Sequence, residues 1–159
     1  MPMTINTQGL DELSDMISKL GDKAEGVAAQ ALYDGAGIVA DAFSKAANSI
    51  RTEKFKGKKD HRLPSPEEKS ALFGKTGIAK FNKNGSEVDT LIGFTGNAGY
   101  AQLGSRSAAV VEIARSINSG TSFMDKQPVF RKAKGASQGA AKAAVVSRAE
   151  ELFEEIING

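Results

Sequence analysis

Residues 10–48 read LDELSDMISKLGDKAEGVAAQALYDGAGIVADAFSKAAN, and the arrangement of the rest of the chain turns on this run. Apolar residues fall at Leu10, Leu13, Ile17, Leu20, Ala24, Val27 and Ala31, in alternating steps of three and four, and continue more loosely through Ile38, Ala42 and Ala46. That spacing marks one face of a helix, because a strand repeats every second residue. No proline interrupts it, yet the run is longer than a usual globular helix. Gly21 followed by Asp22 therefore predicts two helical pieces, with Asp22 capping the second and Glu25 reaching back in a capping box. Gly26, Gly35 and Gly37 lower helix propensity in the second piece. They leave a low-relief surface around Ala31, Gly35, Ile38 and Ala42, on which another element can pack closely.

On the N-terminal side, residues 3–7 suit an edge strand or a disordered arm. On the other side, residues 51–63 read RTEKFKGKKDHRL, which predicts a flexible, exposed basic loop at about 50–63. Ser65, Pro66 and Glu68 supply a cap, a first-turn proline and a capping-box glutamate, so a short helix starts there and ends near Gly74, anchored by Ala71, Leu72 and Phe73. The period then changes to two through Ile78, Lys80, Val88, Thr90, Ile92 and Phe94, with Asn84-Gly85 between. This is the signature of a hairpin. Gly96, Gly99 and Gly104 loosen the chain around a short packed segment at Tyr100, Ala101 and Leu103.

Residues 108–117 suit either helix or strand. Helix is favoured because Ala108, Ala109, Glu112 and Arg115 are good helix formers and Ser107 is placed to cap. Residues 119–133 read as a loop that leads into a final strand at residues 129–131, with Pro128 at its start. Residues 135–139 form a glycine-flanked hinge, and residues 140–157 a helix with Ala144, Val145, Ala149, Leu152, Phe153, Ile156 and Ile157 turned inward. The expected architecture is one α+β domain over residues 1–159: a long N-terminal helical region packed on a small, mostly antiparallel sheet, with a C-terminal helix beside it.

Composition bounds the chemistry. A chain of 159 residues suits a single domain, and eight Phe, two Tyr and no Trp predict a modest core. The absence of Cys excludes disulfides and thiol chemistry and disfavours a zinc site. No apolar run approaches eighteen residues and no signal-type segment follows the N-terminus, so neither membrane nor export is expected, and a cytoplasm is the expected place of synthesis and residence. The net charge of +2 conceals blocks: residues 51–83 and 126–148 each sum to +6, while residues 1–50 and 149–159 each sum to −4. Such polarity fits assembly partners or a polyanion, or opposite blocks paired within one copy.

Catalytic readings find little support. Gly74, Lys75 and Thr76 spell the end of a phosphate loop, but the glycine required five residues earlier is Lys69 and the preceding segment reads as helix. His61 stands among Lys58, Lys59 and Arg62 with no nucleophile beside it in sequence, so it reads as a polar loop residue. Glu151 and Glu155 are one helical turn apart, a spacing that reads as a solvated face. Asn84-Gly85-Ser86 matches a glycosylation sequon, yet reads as a turn. No cofactor, metal or catalytic group is expected. Arg51, Lys54, Lys56, Lys58, Lys59 and Arg62, with Phe55 among them, suit neutralisation of phosphates without base reading. Gly120, Thr121, Phe123, Met124, Pro128, Phe130 and Arg131 have what a docking loop needs: a permissive turn, apolar side chains to fill holes, and a cation. The same loop can instead pack against its own sheet.

Three features in order, the opening GLDELSDMISKLGDK at residues 9–23, the pair Thr76-Gly77 before the hairpin, and Gly120, Thr121, Ser122, Met124, Pro128, Phe130, Arg131 and Ala133 before the terminal helix, make the chain resemble the tail-component family of tailed bacteriophages. These are the small neck or tail-completion proteins encoded between head and tail genes. The chain departs from the family pattern in having Glu112 eight residues before Gly120 rather than an acid next to the Gly-Thr pair, in Val129 between Pro128 and Phe130, and in the added segment at about 50–73. The resemblance implies a structural virion protein that joins or completes the head-to-tail connection. It implies copies in a ring around the DNA passage, head-closure and tail-terminator or tail-tube proteins as neighbours, and weak non-specific contact with genomic DNA. In such a ring, the surface at Ala31, Gly35, Ile38 and Ala42 is expected to meet a neighbouring subunit, so that Leu at position 31 or 35 disturbs assembly more than folding. A stand-alone, non-specific DNA-binding module is the alternative.

Overall fold

The computed structural model describes residues 3–6, 21–54, 61–85, 87–102 and 106–158. Its elements are β1 (Met3–Asn6), α1 (Asp22–Asn48), α2 (Pro66–Ser70), β2 (Thr76–Ile78), β3 (Asn82–Asn84), β4 (Glu87–Phe94), β5 (Asn97–Gln102), β6 (Arg106–Ala109), α3 (Val110–Ser119) and α4 (Val129–Asn158). The protein is α+β, as the periodicities predict. The first helical piece expected at residues 10–20 lies outside the described residues.

Helix α1 starts one residue earlier than a capping Asp22 requires. Gly21 is the N-cap, at φ 60° and ψ −136°, a conformation that glycine alone adopts readily, and no side chain caps the helix. The expected capping box is therefore not formed. Over 27 residues α1 buries a stripe wider than one face: Val27 and Ala31 lie on one side, and Ala28, Leu32, Ala36, Val39, Phe43 and Ala47 on the other. Two neighbours cause this width, since α4 covers one side and the sheet the other. Ile38, Ala42 and Ala46, expected on the main stripe, lie at its half-buried margin.

The sheet is built on β4, which pairs antiparallel with β1 along one edge and with β2 and β3 in succession along the other. Residues 3–6 thus form the edge strand. Val88, Thr90, Ile92 and Phe94 alternate toward α1 and are buried, whereas Leu91 on the opposite face is exposed. Asn84 pairs with Glu87, so the turn follows Asn84, with Gly85 at φ 65°. The hairpin was legible in Asn84-Gly85, although Asn84 itself belongs to the strand.

Three expectations need correction. The glycine-loosened segment forms a second hairpin, β5 with β6, and Ser107 lies within β6 rather than capping α3. Residues 108–117 are therefore strand for two residues and helix thereafter, with Ala109 as an N-cap that offers no side-chain acceptor. The third correction concerns residues 129–131, which are the first turn of α4 and not a strand. Phe130, Ala133, Ser137, Ala141, Val145, Ala149 and Phe153 recur every three or four residues and keep one face against the molecule. No hinge is present either. Gly135 and Gly139 stand on the exposed side, where an added Cβ meets nothing within 4 Å, and each costs about 1 kcal/mol of propensity that packing of the adjacent turns offsets.

Candidate functional site

The basic segment expected to contact DNA and the segment expected to dock partners are separated in sequence, with Arg51 and Gln127 76 residues apart, and the fold joins them. Gln127 does most of this. Its side-chain Oε1 accepts the Arg51 backbone N–H at 2.9 Å and its Nε2 donates to the Arg51 carbonyl at 2.9 Å, while its own N–H donates to Ile117 O at 2.8 Å. With both ends of its amide satisfied, Gln127 can be 5% exposed. The other foot of the basic segment is held by backbone: Arg62 N–H donates to Phe123 O at 2.9 Å, and Asp125 N–H to Arg62 O at 2.8 Å. Between the two feet, Glu53 N–H donates to Pro64 O at 3.0 Å and Glu53 Oε1 accepts the Leu63 N–H at 2.9 Å. The basic segment thus leaves and rejoins the body at one place.

Charge reinforces this junction. The Arg62 guanidinium forks onto Glu68, with nitrogen–oxygen distances of 2.7 and 2.8 Å. Glu68 also accepts the Ser65 N–H at 2.7 Å, and Ser65 Oγ accepts the Glu68 N–H at 3.2 Å, completing the expected capping box of α2. Burial by itself raises the Glu68 pKa. Hydrogen bonds from Arg62 and from the Ser65 backbone, together with the Arg62 charge, outweigh that and hold the carboxyl below the usual glutamate value. Lys69, on the same short helix, donates to Asn48 O at 2.8 Å and Ile50 O at 2.9 Å, which satisfies carbonyls at the C-terminal end of α1. A five-residue helix thereby fastens two segments.

Because the folded-state pKa of Glu68 is depressed, its contribution to stability is complete above the unfolded value and is lost as pH falls through the folded one. Glu68→Gln keeps a capping-box side chain but removes the charge facing Arg62. The expected loss is about 2 kcal/mol at neutral pH, shrinking as pH falls from the usual glutamate range through the lower folded-state value. Urea unfolding of both proteins at pH 7 and along a series of falling pH values measures it; a deficit that does not shrink as the pH falls contradicts this account.

The structure sorts the expected contact residues. Arg51 and Lys54 are exposed, whereas Lys56, Lys58 and Lys59 lie outside the described residues. Arg62 is corrected: its side chain is only 18% exposed and is engaged by Glu68, so it holds the loop and is not a phosphate contact. In the docking segment, Gly120 at φ 76° ends α3, and Thr121 Oγ1 accepts the N–H groups of Phe123 and Met124, shaping a tight turn. Met124 and Phe130 are corrected as well, being 5% and 0% exposed within the core. Pro128 precedes α4, and its carbonyl accepts the Lys132 N–H at 3.1 Å. Phe123, 55% exposed, and the exposed Arg131 remain available for docking.

Ala31 and Gly35 are corrected in turn. Both are buried, and both face α4 of the same chain rather than open surface. Ile38 and Ala42 are half-buried.

Other motifs are structural. Gly74 is a positive-φ turn into β2 instead of a strand-to-helix phosphate loop, and Lys75 O accepts the Thr95 N–H. His61 is exposed, at φ 62°, with Nδ1 3.5 Å from Asp125 Oδ1. Among the described residues no group of three or more His, Asp or Glu is placed to hold a metal ion, and no helix is long and apolar enough to cross a membrane. Sequence reading missed Gln127 and the second role of Glu68, because each acts on a partner that only the fold brings near. Comparison with protein-family models, curated proteins and solved structures finds no match for this chain.

Proposed function

We propose that this protein is a structural component of a phage neck, joining or completing the head-to-tail connection as a ring around the DNA passage. The observation that carries the reading is the junction just described. Residues 120–133, one of the three stretches that carry the resemblance to tail-component proteins, hold both feet of the basic segment through Gln127, Phe123 and Asp125. A partner-docking turn and a cationic segment are thereby fixed to one end of a helical body. That pairing suits a protein that grips its neighbours firmly and touches passing DNA weakly. The work is mechanical and needs no reacting group. Deletion of the gene is expected to give DNA-filled heads and separate, unjoined tails by electron microscopy; normal virions from the deletion sink the proposal.

A second reading, a stand-alone non-specific DNA-binding module, draws on one observation. The two +6 blocks of the sequence meet where Gln127 holds Arg51. On that reading the purified protein binds duplex DNA with a steep salt dependence, and replacing Lys56, Lys58 and Lys59 with Ala lowers affinity at all sequences and flattens the salt slope by about three. Fluorescence anisotropy with unrelated duplexes across a salt series measures both. Binding that is tight at physiological salt favours this module over a neck protein.

A further inference from the structure

We propose that the basic end of the molecule, around Arg51, Lys54, Phe123, Lys126 and Arg131, is the docking surface for the acidic end of α4 on a second copy of this chain. At the basic end these four cations are exposed, none of them forms an ion pair among the described residues, and Phe123 projects beside them at 55% exposure. Two acids stand among them, Asp125, facing His61, and Glu53, which accepts the Leu63 N–H. Glu150, Glu154 and Glu155 occupy the far end of α4, exposed and without an ion pair among the described residues, while Glu151 is taken by Arg148 at 2.9 Å, and the Arg148 charge also reaches Glu155. Along an unbroken helix, Arg131 and Glu155 stand about 36 Å apart. That is several Debye lengths at physiological salt, about 8 Å each, so the two ends cannot neutralise one another within a copy.

The charges of α4 also run against its own dipole, cations at the positive N-terminal end and carboxylates at the negative C-terminal end. The N-terminus of the antiparallel α1 beside those carboxylates offsets part of that cost. Nucleic acid could cover the basic end but leaves the carboxylates unmatched, whereas a second copy satisfies both ends through one repeated contact. Such a contact is heterologous and closes into a ring when its rotation permits. The ring geometry, though not the contact, rests on the neck reading.

The test uses the full chain, freed of nucleic acid, in sedimentation experiments over a wide concentration range. One variant carries E150K, E154K and E155K, and the other R51E, K126E and R131E; circular dichroism verifies that both are folded. Wild type is expected to gain mass with concentration at about 50 mM salt and to lose it at about 500 mM. Each variant alone associates at least about tenfold more weakly, and an equal mixture of the two recovers association, because one then presents two basic ends and the other two acidic ends. A wild-type mass independent of concentration at low salt overturns the proposal. So does a variant that associates like wild type, or a mixture no heavier than its parts. If association is found but gene deletion leaves normal virions, the contact stands and the neck role falls; a strictly monomeric protein whose deletion leaves heads and tails unjoined gives the reverse.

Discussion

Phe130→Ala is expected to lose about 3–5 kcal/mol of stability in urea unfolding. Phe130 is fully buried at the start of α4, its ring 4.9 Å from Phe94 of β4 and 5.6 Å from Phe43 of α1, while Phe43 and Phe94 stack at 6.1 Å. Three elements therefore meet at one aromatic cluster. Truncating Phe130 removes the transfer free energy of a phenyl ring and opens a cavity that two long helices and a sheet cannot collapse to fill. Phe123→Ala supplies the contrast: that side chain is 55% exposed, and its loss is expected to change stability by less than about 0.5 kcal/mol. Equal losses for the two variants contradict the assignment of Phe130 to the core.

Gly35→Leu is expected to cost about 3 kcal/mol or more, or to prevent folding of the isolated chain. A Cβ at this position of α1 sits 2.8 Å from the Ala141 carbonyl oxygen of α4 and also meets Val145 Cγ2. A side chain can rotate away, but a helix backbone cannot yield without separating α1 from α4 along the cluster of Val27, Ala31, Val145, Ala149, Leu152 and Phe153. Even Gly35→Ala is expected to destabilise, although alanine is the better helix former. Gly37→Ala, with nothing within 4 Å of its added Cβ, is the control and should be neutral or slightly stabilising. Thermal unfolding of the three variants decides the point: a Gly35→Leu chain that folds like wild type would return this surface to a neighbouring subunit.

Most of the fold was legible where a local pattern had a local cause. Ser65, Pro66 and Glu68 specify the cap of α2 because their hydrogen bonds close within four residues. The hairpin through Gly85 and the helical period of α1 follow for the same reason, period and turn being properties of adjacent residues. Where the reading failed, propensity was overridden by packing. Pro128 and Val129 look like the start of a strand, and Gly135 and Gly139 like a break, yet Phe130, Ser137 and Ala141 hold those turns against the core and α4 runs through. The docking candidates divided likewise, since a Phe that fills its own core and one that awaits a partner are identical in sequence.

The sequence by itself determined the α+β class, the cap of α2, the hairpin at Gly85, the absence of thiol chemistry and the four strongest charge blocks. Only the tertiary structure decided which neighbour each small residue faces, that Arg62 serves Glu68 and not phosphate, and that Gln127 ties Arg51 to the start of α4 across 76 residues. It also decided that the acidic and basic ends stand apart. Periodicity and capping are local and can be read along one dimension, whereas the partner of a buried amide or guanidinium depends on which distant segment the core has already brought beside it.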